Sequence, residues 1–214
     1  MKIENNIIKE NLKNVYFVCG NACAGKTTMA RMLAEKYNFN LYDMDKMYDI
    51  HRAISNPVNQ PDTCYHGKNF HEQWTRPIEE QARWSMSSLN EQSEMVFIDL
   101  MKLSENQIIV ADVLFSPDYS LDIIDYNHLI FLTVNKNVIR DAYFNRPEKR
   151  EFYEYVRQQE LADLYYDNIF KSLELINDLE QEAMKKSGLF VLERTIDLTK
   201  EQMLNRIEKH FCLI

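Results

Sequence analysis

An apolar run, Val15-Tyr16-Phe17-Val18-Cys19, breaks off into Gly20-Asn21-Ala22-Cys23-Ala24-Gly25-Lys26-Thr27, and a helical pattern begins directly behind it. This junction constrains the fold more than any other part of the chain. The β-branched and aromatic run reads as a buried strand. Met29, Met32, Leu33 and Tyr37 then recur on one face of a helix spanning Lys26 to Tyr37. Strand, loop and helix therefore join within a few residues. The chain has only 4 glycines in 214 residues, where average usage would give roughly 15. Two of the four, Gly20 and Gly25, sit in this junction, and glycine so sparingly used marks places where other residues fail.

The junction matches G-x-x-x-x-G-K-[ST] at every fixed position. At average composition a chain of this length contains that pattern by chance on the order of one time in a hundred, and scarce glycine lowers the odds further. An ordinary glycine-containing turn is the alternative, but the strand before and the helix after are the context a phosphate loop requires. Glycines let the backbone wrap close to phosphate oxygens, and successive N–H groups point inward as an anion nest. The helix aims its positive N-terminus at the same charge. The residues expected to cradle a nucleotide are Gly20, Asn21, Ala22, Cys23, Ala24, Gly25, Lys26, Thr27 and Thr28. Lys26 would reach the β and γ phosphates of ATP, and the Thr27 hydroxyl would ligate Mg2+. Cys23 reads as a small loop residue or as a redox-sensitive thiol.

Along the rest of the chain, strands alternate with helices. Strands are expected at Phe39 to Tyr42, Ile108 to Leu114, His128 to Val134 and Leu189 to Leu192. Helices are expected from His71 to Leu103, with Pro77 near a first turn or a kink, and from Lys136 to Lys186 with a break at Asn145-Arg146-Pro147. Gly188 stops that second helix, and Thr199-x-x-Gln202 is a capping box for the last one. Residues 55–69, with two prolines and Gly67, form a loop. Alternation with continuous apolar strands predicts a parallel sheet covered by helices on both faces. The expected fold is three-layer α/β/α with five parallel strands, as a single domain over 1–214.

The net charge of −8 and a pI near 5.2 argue against a nucleic-acid partner, which would need a basic face. No apolar stretch is long enough for a secretory signal or a membrane span, so no membrane partner is expected. Cys19, Cys23, Cys64 and Cys212 follow no framework spacing, which suits reduced thiols and a cytoplasmic location. Cys64-x-His66 with His71 lacks the paired spacings of zinc sites.

Two further features join the loop: Asp43-Met44-Asp45 after the second strand, and Arg140 with Arg146-Pro147-Glu148-Lys149-Arg150 after the fourth. Together with the loop they resemble the P-loop small-molecule kinases, the shikimate kinase-like group in particular. The resemblance implies a P-loop kinase type of fold with a helical lid, here 145–160, and an acceptor-binding segment, here 46–104. It implies that Asp43 lies near magnesium and that Asp45 takes the acceptor hydroxyl, while Arg140, Arg146 and Arg150 meet the transferred phosphoryl group. Alternate strand-end positions point the same way, so both carboxylates can face the nucleotide. Asp45 also fits the N-cap of the next helix. Asp112 ends its apolar run as a Walker-B-type aspartate does and would hold the metal through water, or it is a strand-end turn residue. For the arginines the alternative is a solvated helix boundary.

The glycine-rich stretch that shikimate kinases carry after the third strand is absent; Ala111-Asp112-Val113-Leu114 stands there. The acceptor segment offers Asp49, His51, Arg52, His66, His71, Trp74, Arg76 and Arg83, in which Trp74 with Arg76 or Arg83 could clamp an acidic or ring-bearing acceptor. Each is otherwise a surface side chain or a core aromatic. The tyrosines between 143 and 166 read as helix packing. The sequence thus implies an ATP- and Mg2+-dependent kinase for a small-molecule acceptor, as a monomer or homodimer. The rivals are a nucleoside or nucleotide kinase and a nucleotide-gated binding module. Asn135-Lys136-Asn137 lacks the aspartate of a guanine motif.

Overall fold

A computed structural model describes residues 3–65, 69–120 and 122–214, so His66 and Gly67 lie outside the described residues. Five strands, β1 (Val15–Gly20), β2 (Asn40–Asp43), β3 (Ile109–Asp112), β4 (Leu129–Val134) and β5 (Val191–Arg194), form one sheet in the order β2-β3-β1-β4-β5. Every pairing is parallel. Strand direction therefore places all five C-terminal ends along one edge. The order reverses at β1, whose neighbours are β3 and β4, and such switch points leave a crevice for ligands.

Alternation on the strands feeds two separate cores. Phe17, Leu129 and Phe131 point to one face and pack with Val96 and Leu100 of α6 (Ile78–Leu103) and Met184 of α9 (Ala162–Lys186). Val18, Val110, Ile130 and Leu132 point to the other, against Met29 and Leu33 of α2 (Lys26–Tyr37) and Ile207 of α10 (Lys200–His210). Each fully buried side chain of this kind contributes about 1.5–3 kcal/mol relative to exposure. This is the three-layer α/β/α arrangement with five parallel strands expected from the sequence.

The helices depart from expectation in several places: α1 (Asn5–Asn11) forms near the N-terminus, α4 (Pro61–Cys64) forms inside the stretch read as a loop, and two longer patterns are broken. The pattern from His71 to Leu103 is split into α5 (Phe70–Thr75) and α6, with Pro77 as the α6 N-cap; proline lacks the N–H and pushes the residue before it out of helical conformation. The pattern ending at Lys186 breaks twice, because α8 (Arg150–Arg157) is followed by a turn before α9. Residues 158–161 hold no glycine or proline to announce that break. It lets Val156 of α8 fold back on Tyr165 and Ile169 of α9, where Phe70, Trp74, Phe144 and Phe152 join them. Aromatic packing takes up the tyrosine-rich segment. Gly188, at φ 72, follows the last turn of α9, and the Thr199–Gln202 capping box opens α10.

Candidate active site

The loop between β1 and α2 is shaped by its two glycines in different ways. Gly20 has φ 130, and a Cβ there would lie 1.9 Å from the Leu132 carbonyl oxygen. Only hydrogen fits, so β1 and β4 close tightly and the chain can turn outward. Gly25 has φ 95 and open space where a Cβ would go; it is the N-cap of α2, and no side chain intrudes on the helix N-terminus. Cys23 also takes a left-handed φ of 64. Burial pushes its thiol up against the opposing pull of Arg146, Lys26 and Arg194, which keeps it protonated and suits the small-residue reading.

Asn21 is fully buried. Its N–H donates to the Leu132 carbonyl at 3.0 Å, its Nδ2 donates to Glu180 Oε2 at 2.7 Å, and its carbonyl accepts from Lys26 Nζ at 3.1 Å. A cleft of about 570 Å3 opens over the loop, bordered by Gly25, Lys26, Thr27, Arg146 and Arg194. Arg194, at the end of β5, donates to the Cys23 carbonyl at 2.7 Å. An apolar recess of about 430 Å3 continues from it between Val138, Ile196, Leu198 and Met203.

On the other side of Lys26 and Thr27 lies a cavity of about 180 Å3. Asp43 and Asp112 are register partners on β2 and β3, and with Asp45 they form its acidic wall. Burial pushes the Asp112 carboxyl upward, offset by Lys26 and a hydrogen bond with the Thr27 side chain and reinforced by Asp43 and Asp45. Asp43 pairs with Lys46 at 3.2 Å. The opposite wall is Arg146, Lys149 and Tyr143, with Leu89, Leu114 and Leu173 completing it. Arg146 and Lys149 lie over the Tyr143 ring at 5.0 and 5.7 Å.

Asp43 and Asp45 are not alternate positions of one strand, as the sequence suggested. The strand ends at Asp43, which is itself the N-cap of α3 (Met44–Ile54), and Asp45 sits in the first helical turn. The two carboxylates share the cavity because the chain changes from strand to helix between them, not because they alternate along a strand. The cap belongs to Asp43, without a side-chain cap bond.

Of the three arginines, only Arg146 borders both clefts. Arg140 turns to α9, with Glu174 at 3.1 Å and the Phe170 ring at 5.3 Å. Arg150 is exposed and pairs with Glu154 at 3.1 Å on its own helix. In the acceptor segment, His51 is buried against Asp99 at 2.8 Å, where the Tyr42 hydroxyl also donates. Arg76 lies over the Tyr65 and Trp84 rings at 5.5 and 5.3 Å, and Trp74 packs in the aromatic cluster. His71 bonds the Tyr165 hydroxyl at 2.8 Å. Asp49, Arg52 and Arg83 are exposed. No basic residue of 46–104 borders the acidic cavity among the described residues.

Sequence reading missed Glu180 and Arg194. Arg194 had a usable signal, a cation at the C-terminal end of a strand whose neighbours all end at the site. Glu180 had none, being one of many charged residues on a long helix.

No protein-family model matches this chain, and no curated protein matches it. Among solved structures, the chain is similar to shikimate kinase from Acinetobacter baumannii in complex with shikimate. That similarity has 13% identity and a TM-score of 0.47, covering 93% of this chain and 91% of that one. It is also similar to dephospho-CoA kinase from Campylobacter jejuni at 11% identity and a TM-score of 0.39, covering 94% of this chain and 99% of that one. No helix among the described residues is long and apolar enough to cross a membrane.

Proposed function

We propose that the chain is an ATP-dependent phosphotransferase that moves the γ-phosphate to a hydroxyl of a small molecule. The observation that carries this reading is one of position. An acidic cavity holding Asp43, Asp45 and Asp112 meets a phosphate-shaped loop at Lys26 and Thr27, and Arg146 borders both. In this reading the loop N–H groups and the α2 N-terminus hold the β and γ phosphates. Lys26 releases the Asn21 carbonyl to meet them. The base occupies the apolar recess beside Val138 and Ile196.

Asp45, exposed at the start of α3, orients the acceptor hydroxyl and accepts its proton. Geometry allows it the role because it borders the cavity without a salt-bridge partner within the described residues. Arg146 adds a planar, always-charged donor where negative charge builds on the transferred group. Arg150 would reach the site only if the lid moved, and Arg140, on the helix before the lid, only by leaving Glu174.

The donor set suits magnesium: the Thr27 hydroxyl with the Asp43 and Asp112 carboxylates are hard oxygen ligands. Among the described residues no three His, Cys, Asp or Glu side chains close on a metal by themselves, which fits an ion that arrives with nucleotide phosphates and keeps its waters. When bound, Mg2+ would neutralise charge on the phosphates.

The cavity also bears on the acceptor. Besides Lys26 of the phosphate loop, its cations are Arg146 and Lys149 from the lid, and none comes from 46–104. A carboxylate on the acceptor would therefore compete with the transferred phosphate for them and meet three aspartates. Neutral polyols and amino alcohols suit the cavity better than hydroxy acids. Both cations also cover the Tyr143 face, leaving a nucleobase acceptor no ring to stack on.

The test is ADP formation from Mg·ATP across a panel of sugars, amino alcohols, nucleosides and hydroxy acids, with product mass measured. A product one phosphate heavier than its acceptor supports the reading. Release of free phosphate at one rate whatever is added, with nucleotide-dependent binding to another protein, would favour the gated module.

A further inference from the structure

The phosphate loop is held from behind by a residue that the transfer chemistry does not use. Glu180 reaches across from α9 and accepts a hydrogen bond from Asn21 Nδ2 at 2.7 Å, across 159 residues of chain. Asn21 has no surface open to solvent, and its Oδ1 is buried with no hydrogen-bond partner. A buried amide oxygen left bare costs about 1–3 kcal/mol. Glu180 supplies an acceptor for one end of the amide and, while ionised, nothing for the other. A protonated carboxyl has both an acceptor and an O–H, the complement of a carboxamide.

We propose that Glu180 is a positioning residue of the phosphate loop, holding Asn21 in place and taking up a proton from solvent when an anion fills the loop. The proposal rests on the reading that the loop binds nucleotide phosphates. Asn21 links the two ends of the device, since its carbonyl holds Lys26 Nζ at 3.1 Å while its side chain holds Glu180. Phosphates entering the loop draw Lys26 away and bring negative charge closer. Both changes favour the neutral carboxyl.

The surroundings leave this carboxyl little else to answer to. Burial already pushes Glu180 up to about 7, with the Asn21 hydrogen bond and Lys26 acting against it. The β1 neighbour Cys19 has its thiol pushed up to about 12 by burial and stays protonated. The recess of about 30 Å3 beside Glu180 is lined by neutral groups, including Leu89, Asn90, Phe115 and Ser116. On α9 itself, Asp178 and Glu182 are paired with Lys136 and Lys186. Lys26 is the charged group that faces it.

Calorimetric titration of Mg·ADP in two buffers of different ionisation heat tests this directly, because the nucleotide is not turned over. The wild-type protein is expected to take up a proton on binding between pH 7 and 8. Its affinity should be about tenfold weaker at pH 8.5 than at pH 6.5, within the usual range for coupled sites. Glu180→Gln keeps the acceptor and supplies a permanent N–H donor, so it should bind at every pH as the wild type does at pH 6.5, without proton uptake. Glu180→Ala should bind more weakly throughout. Proton uptake that persists unchanged in Glu180→Gln would overturn the proposal. Failure of wild type to bind Mg·ADP at any pH would instead count against the nucleotide reading. The pH dependence of unfolding, which needs no ligand, then decides for Glu180: identical slopes in wild type and Glu180→Gln between pH 5 and 8 would also overturn it.

Discussion

The two sides of the site are built from different materials. On the side proposed for the donor the loop is backbone: Gly20 fits only because it has no Cβ, and Gly25 opens α2 with no side chain at its N-cap. On the acceptor side the cavity is side chain, assembled from β2, β3, α3, α6 and the lid. Backbone geometry tolerates few substitutions here, because a Cβ at Gly20 meets the fixed Leu132 carbonyl and φ 95 at Gly25 disfavours any side chain. A wall of side chains can be rebuilt residue by residue while the fold persists. In the proposed kinase the donor subsite would therefore be fixed by the backbone, and the acceptor subsite would depend on replaceable side chains.

That contrast can be broken at either end. Asp45→Asn should carry the largest effect, lowering transfer to the acceptor by about 10²–10⁴-fold with Mg·ATP affinity nearly unchanged; normal acceptor turnover by this variant would remove Asp45 as the base. Gly20→Ala should destabilise the fold by about 3 kcal/mol, since its Cβ would collide with the Leu132 carbonyl and φ 130 disfavours any side chain. Denaturant unfolding measures it. Arg146→Ala should lower transfer by about 10²-fold, and steady-state rates with a found acceptor would check it. For Arg150→Ala the expected change in stability is about 0.5 kcal/mol or less, because the pair with Glu154 is exposed. A large loss of transfer in that variant would mean that the lid swings Arg150 into the site.

Titration offers a smaller test. The Glu180 carboxyl rises from its ordinary 4.5 to about 7 in the folded chain. The native state then binds the proton more tightly than the unfolded chain, so this group's contribution to stability falls as pH climbs from about 4.5 through 7. Glu180→Gln should flatten that part of the stability curve, as followed by thermal unfolding at several pH values.

How much of this was legible before the structure follows the same division. Gly20 through Thr27 could be read because a left-handed turn and a close strand contact leave few residues to choose from, and the apolar run and helix around it follow period rules. Asp43 and Asp45 do line one cavity, although the strand argument for that is replaced by the start of α3. Arg140 looked like Arg146 in sequence; only the register of α7 (Lys136–Ala142) against α9 sends one to Glu174 and leaves the other at the clefts. Glu180 and Arg194 act on the loop across 159 and 171 residues, and no local pattern carries contacts of that separation. His51 was one of several residues offered for the acceptor segment, and it is a buried partner of Asp99.

Titrating Mg·ATP into the wild type, Asp45→Asn and Lys26→Ala tests the division of the site most directly, with no acceptor needed. The two-sided site predicts that Asp45→Asn binds within about threefold of wild type, a difference well under 1 kcal/mol, while Lys26→Ala shows no saturable binding. Lys26→Ala binding as tightly as wild type, or Asp45→Asn losing affinity as severely as Lys26→Ala, would contradict it.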